Sequence, residues 1–173
     1  DVTAMNPWSR RRLGIGRTYQ VPKPFGHMTV FENVLVAAVH GGGLSIRAGR
    51  REAVEALELT GLAPKADRPA GMLSLLDLKR LELAKAIAGK PDLLLLDEIA
   101  GGLTDRECDT LIEILRVLHG RGATIVWIEH VIHALQRVAS RVAVLYGGSI
   151  LSHGPCDAVL ADPKVREVYL GTE

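Results

Sequence analysis

Apolar residues recur every three or four positions through the first half of the chain, then gather into short aliphatic blocks in the second. The first pattern predicts helices over 29–39 and 51–59, separated by Gly41-Gly42-Gly43, with a proline- and glycine-punctuated loop over 61–71. Ser74 is placed to cap a third helix reaching about residue 88, with Leu76, Leu81, Ala84 and Ile87 on one face and Gly89 and Pro91 as its stop.

The period then changes. Residues 92–96 form a continuous aliphatic run, the pattern of a strand buried on both faces, and the run ends on Asp97 and Glu98. Thr104 and Glu107 make a capping box for a helix whose stripe is Cys108, Leu111, Ile112, Leu115 and Leu118, with Gly120 as its stop. A β-branched run over 123–128 ends at Glu129-His130, and a short helix follows over 131–138. Residues 141–146 and 149–152 flank Gly147-Gly148 as a hairpin, and a helix over 163–170 closes the chain. Strand–helix–strand alternation predicts an α/β fold with a mostly parallel sheet flanked by helices.

Composition narrows the class. At 173 residues, 47% apolar and 24% charged, the chain can bury one domain-sized core. Its net charge of +1 implies no polyelectrolyte partner, and Arg10-Arg11-Arg12 reads as a solvated face, so no nucleic acid is expected. Cys108 and Cys156 are too few for a disulfide framework and suit a reducing compartment. The longest uninterrupted aliphatic run, 93–96, is far below the roughly 20 residues that cross a bilayer, so membrane contact is expected only through partners. Asp1 is not methionine, and the chain reads as beginning inside a longer product.

Ligands of open α/β sheets lie beyond the carboxyl ends of the strands, where both candidate strands carry polar groups. Asp97 could hold a magnesium ion through water, and Glu98 could accept a proton from an attacking water. The alternative is that both acids simply leave the core, or that Glu98 caps a turn. His130-x-x-His133 lacks a third zinc ligand, and Gly14-x-Gly16 lacks the third glycine of a dinucleotide fingerprint.

The ordered motifs resemble a family. Leu93-Leu94-Leu95-Leu96-Asp97-Glu98 resembles the Walker B segment of ABC ATPases, and Ile128-Glu129-His130 their switch-histidine segment. Gly14 through Gln20 resembles the Q-loop of branched-chain amino-acid importer subunits, Phe31-Glu32-Asn33-Val34 the helix that follows it, and residues 142–154 and Tyr169-Leu170-Gly171 further segments of that subfamily. This resemblance implies the ATP-binding subunit of an ABC importer, using ATP and Mg2+, paired with a second such subunit and with transmembrane permease subunits at the inner membrane face. It assigns Glu98, His130 and Gln20 to catalysis and Asp97 with Gln20 to magnesium. It gives Ser74, Leu75 and Leu76 to the opposite subunit's nucleotide, and Val21, Pro22, Lys23, Pro24 and Phe25 to permease docking. Residues 26–88 would be a helical subdomain, and 89–173 the Walker B and switch-histidine part of the core.

Three departures accompany it. No G-x-x-x-x-G-K-[ST] phosphate loop occurs, so the fold is expected to be an incomplete P-loop NTPase, truncated at the N-terminus and inactive alone. The family signature Leu-Ser-Gly-Gly-Gln stands as Leu73-Ser74-Leu75-Leu76-Asp77, which adds bulk and a negative charge beside a helix N-terminus. The segment after Glu98 contains Gly101-Gly102-Leu103-Thr104 in place of Ser-Ala-Leu-Asp. A non-hydrolysing interaction or dimerisation module is the competing reading. A soluble repair or translation ATPase would show long inserted arms, and none is visible.

Overall fold

The computed structural model describes residues 1–170, so Gly171, the end of one sequence motif, lies outside the described residues. The chain divides into two compact units, Asp1–His130 and a second from Val131 onward. The boundary thus falls inside the stretch 89–173 that the sequence groups as one.

The first unit contains α1 (Pro7–Arg12), β1 (Ile15–Arg17), α2 (Val30–Val36), α3 (Ile46–Leu59), α4 (Leu75–Ile87), β2 (Leu93–Asp97), α5 (Asp105–Gly120) and β3 (Thr124–Ile128). The strands form a parallel sheet in the order β1-β2-β3, with Gly16 beside Leu94 and Asp97 beside Ile128. Residues 26–88 hold helices and turns, joined to the rest of their own segment by an isolated bridge between Thr29 and Pro69. Fully buried Leu81, Leu83, Leu94, Leu96, Leu111, Ile112 and Leu115 make the centre of the core, each stabilising the fold by about 2 kcal/mol.

Several elements differ from their predicted form for identifiable reasons. Capped by Thr29 and Glu32, α2 ends at Val36, and the chain goes on through one wider π turn, Ala37–Gly41. Helix α3 begins ahead of position 51, at Ile46, because Ser45 accepts a hydrogen bond from the Ala48 amide at 3.3 Å. Its first turn, Ile46-Arg47-Ala48, is solvated and gives no apolar rhythm to read. In α4 burial is not confined to one face, since Asp77, Lys79 and Glu82 are buried along with Leu81, Ala84 and Ile87. Helix α5 runs through Gly120 and reverses at Gly122, whose φ of +99° is the left-handed conformation a C-terminal glycine supplies.

The Walker B-like strand is covered on one face only. Leu94 and Leu96 are buried, whereas Leu93 and Leu95 are half-buried, and the β3 residues on that second face, Val126 and Ile128, are 51% and 64% exposed. The arginine run also departs from a plain solvated face. Arg10 donates to the Val2 and Thr3 carbonyls and Arg12 stacks on Trp8. The Arg11 side chain lies against Gly41 and Gly89, and its Nη1 and Nη2 have no hydrogen-bond partner among the described residues. Burial lowers its pKa.

The second unit contains α6 (Ile132–Val138), the antiparallel hairpin β4 (Arg141–Tyr146) and β5 (Ser149–Pro155), α7 (Cys156–Ala161) and α8 (Pro163–Leu170). Gly147 and Gly148 both take positive φ, the requirement of a tight two-residue hairpin turn. Val144, Val159 and Val165 form its small core. Among the described residues, no helix is long and apolar enough to cross a membrane.

Candidate functional site

All three parallel strands end at the same sheet edge, and each delivers polar residues there. Beyond β1 the backbone amide of fully buried Thr18 continues the ladder to the Leu95 carbonyl at 3.0 Å, and its hydroxyl accepts from the Asp97 amide at 3.2 Å. Gln20 follows on an exposed bend. Beyond β2 come Asp97 and Glu98, and beyond β3 come Glu129 and His130.

The centre of the cluster is the Glu98 carboxylate. Gln20 Nε2 donates to Glu98 Oε2 at 2.6 Å, and His130 Nδ1 lies 3.6 Å from the same oxygen and 3.4 Å from Glu129 Oε1. Gln20, Glu98 and His130, far apart along the chain, therefore meet at one atom. The Glu98 backbone is unusual: its φ is +46°, a left-handed conformation rarely taken by non-glycine residues, while its amide donates to the Ile128 carbonyl at 2.9 Å. Strained conformations of this kind gather at functional sites. The Asp97 carboxylate is partly exposed and lies 3.5 Å from Arg17 Nη2, itself stacked against Tyr19.

The donor set fits magnesium better than it fits phosphate. Asp97 and the Gln20 amide oxygen are hard ligands, and no group of three or more acids, histidines or cysteines able to cage a metal occurs among the described residues. Magnesium takes oxygen ligands of this kind, commonly one or two carboxylates with several waters. The β- and γ-phosphates are not provided for: the sequence has no glycine-rich phosphate loop to cradle them.

Ser74, Leu75 and Leu76 stand at the start of α4, where a Cβ added at Gly102 would lie 3.4 Å from Leu75 Cδ2. The Ser74 hydroxyl serves its own helix, accepting from the Asp77 amide at 3.3 Å and donating to the Asp77 carboxylate at 3.0 Å. Asp77 does not present its charge to solvent. It is 4% exposed, paired with Lys65 and lying 3.7 Å from Arg80. The negative charge expected to disfavour phosphate at this terminus is therefore compensated from within. Leu75 is 49% exposed.

The 21–25 loop is fixed by its backbone. The Lys23 amide donates to buried Glu82 at 2.9 Å, and Lys85 donates to the Lys23 carbonyl at 3.1 Å. Fully buried Asn33 binds both the amide and the carbonyl of Phe25, at 2.8 and 3.1 Å. Pro22 and Pro24 are half-buried, while Val21 and Phe25 expose 65% and 48% of their surface.

Three contributors escaped the sequence reading. Thr18 joins β1 to Asp97. Lys79, only 6% exposed, donates to the Glu98 carbonyl at 3.0 Å. Glu129, visible in the sequence only as a strand-end acid, has a fully buried side chain that accepts from the Ala100 amide at 3.1 Å. A lysine inside an amphipathic pattern gives no signal of its own, and none was available for Lys79.

Residues 1–101 match the ABC transporter family. The chain is 35% identical to the high-affinity branched-chain amino acid transport ATP-binding protein LivG of Salmonella typhimurium, over 92% of this chain and 69% of that protein. It is 32% identical to the probable LivG of Archaeoglobus fulgidus, over 100% of this chain and 72% of that protein. Among solved structures, a nucleotide-free ATP-binding cassette from an ABC transporter superposes with a TM-score of 0.87 at 28% identity, covering 99% of this chain and 74% of that one. On the match to its first 101 residues and these two relatives, the chain belongs to the ABC transporter family, among its ATP-binding subunits.

Proposed function

We propose that this chain carries the water-activating half of an importer ATPase site, acting for branched-chain or other amino acids. The observation that carries the reading is the meeting of Gln20, Glu98 and His130 at a single carboxylate oxygen. Glu98 accepts the proton of the attacking water, and Gln20 orients that water. His130, at the end of the third strand, donates toward the negative charge that grows on the transferred phosphoryl group. Asp97 and Gln20 would hold magnesium through water, and the ion would supply neutralisation of the phosphate charge.

Val21 and Phe25, on a loop with a pinned backbone, suit insertion against a permease subunit's cytoplasmic segment. The Ser74 helix terminus, with Leu75 and Leu76, faces the nucleotide of a second ATP-binding subunit. The branched-chain substrate class rests on LivG relatives alone. The 173 residues by themselves lack the phosphate cradle and hydrolyse no ATP.

The test is magnesium-dependent ATP hydrolysis by this chain, beside a version given a phosphate loop with its flanking strand and helix, and beside Glu98→Gln in that version. Hydrolysis only in the loop-bearing form, lost by on the order of 100-fold or more in Glu98→Gln with nucleotide binding kept, is expected. Turnover undiminished by Glu98→Gln would remove Glu98 from the chemistry.

A further inference from the structure

The segment that carries Glu98 is held from beneath by two buried charges of opposite sign. Lys79, on the second turn of α4, donates from Nζ to the Glu98 carbonyl at 3.0 Å. Glu129, at the end of β3, accepts from the Ala100 amide at 3.1 Å and, through its other oxygen, from the His130 amide at 3.1 Å. The peptides at both ends of the 98–100 segment are thus tied to charged groups withdrawn from water.

Their neighbourhood is tight. A Cβ added at Gly101 would lie 3.5 Å from the His130 ring and 4.0 Å from Lys79 Nζ, so ammonium, imidazole and loop backbone share one small space. Burial lowers the Lys79 pKa, opposed by attraction to Glu129 and then to Glu98. A buried ammonium is tolerated only when paired and hydrogen-bonded, and here its hydrogen bond goes to a backbone carbonyl. That carbonyl belongs to the one residue of the site in a left-handed conformation.

We propose that Lys79 is a positioning residue for Glu98: its ammonium holds the Glu98 peptide in its left-handed turn and so aims the carboxylate at Gln20 and His130. The inference rests on the reading of Glu98 as the group that acts on water, but its geometric part is testable without nucleotide. Lysine is suited to the task because its long stem crosses the core from α4 and ends in a compact donor.

The experiment compares the 173-residue chain with Lys79→Met, which keeps the stem and removes the charge, and Lys79→Arg, which keeps the charge. The readouts are the 13C shift of the Glu98 carbonyl and amide hydrogen exchange of Glu98 and Ala100, with the amides of α5 as internal reference. Lys79→Met is expected to move the carbonyl resonance upfield and to speed loop exchange by about tenfold or more while α5 stays protected. Lys79→Arg is expected to restore both. Unchanged carbonyl shift and exchange in Lys79→Met would overturn the proposal. So would equal loss of protection in α5, which indicates general packing, or failure of arginine to rescue with α5 intact. In the loop-bearing version, Lys79→Met is expected to lower kcat on the order of tenfold or more at unchanged nucleotide KM. Loss of ATP hydrolysis from every version would sink the functional reading and leave the carbonyl and exchange results standing on their own.

Discussion

Gly16 shows what one missing side chain does for the site. It sits in β1 beside Leu94, and a Cβ there would lie 2.8 Å from the Ala86 carbonyl of α4 and 2.9 Å from Pro91 Cγ. Neither a helix carbonyl nor a proline ring yields easily, so Gly16 sets how closely the first strand meets α4. Gly16→Ala is expected to destabilise the fold by about 1–3 kcal/mol, read as a lower urea midpoint at unchanged slope. An unchanged midpoint would mean that the strand shifts freely. In the sequence, Gly14-x-Gly16 drew notice as a failed dinucleotide fingerprint, and its packing role was invisible because the partner is backbone from a distant part of the chain. Glu98, Gln20 and His130 were legible as residue types in order, but their convergence needed the register of three strands.

At the scale of elements, legibility followed the caps. The Thr104–Glu107 box announces α5, and the hydroxyl and carboxylate do bond each other's backbone, at 3.4 and 2.8 Å. Helices α1 and α7 and strand β1 went unread because they span six, six and three residues, too short to establish a period. Helix α4 was legible from its Ser74 cap and its glycine–proline stop, whereas its burial on more than one face was not, since polar residues satisfied inside the core blur its apolar stripe. The α5 cap has a pH signature. The Thr104 amide, then its hydroxyl, hold the Glu107 pKa below its ordinary 4.5, so the ionised form favours the folded state. That contribution is complete above pH 4.5 and is lost as pH falls through the lower folded value. Thr104→Val is expected to lower Tm by a few degrees at neutral pH and to make the acid loss of stability shallower. Parallel acid profiles by circular dichroism would show that the Thr104 hydroxyl carries none of this linkage, leaving it to the backbone amide that valine keeps.

At the scale of the whole molecule, each unit shows apolar surface to solvent. In the first, Val126 and Ile128 lie exposed on β3, the last strand of its sheet. In the second, Leu145, Tyr146 and Ile150 are 67%, 59% and 62% exposed on the hairpin. Exposed strands with apolar faces invite association. The purified chain is therefore expected to self-associate with rising concentration in sedimentation velocity, and Val126→Lys with Ile128→Lys to return it toward monomer at unchanged helicity. Concentration-independent monomer in the unsubstituted chain would contradict this. The overall α/β class was legible from strand–helix alternation, whereas the one-sided cover of the sheet was not, because an aliphatic run looks the same under one layer or two.

The left-handed turn at Glu98 sets stability and chemistry at odds in a single residue. Glycine would suit that backbone better than any side chain, and relieving the strain would be worth about 1 kcal/mol or more. A search for hardier variants scored on melting temperature alone would therefore be drawn to Glu98→Gly. It would prize the substitution that deletes the carboxylate, the very group we propose acts on water.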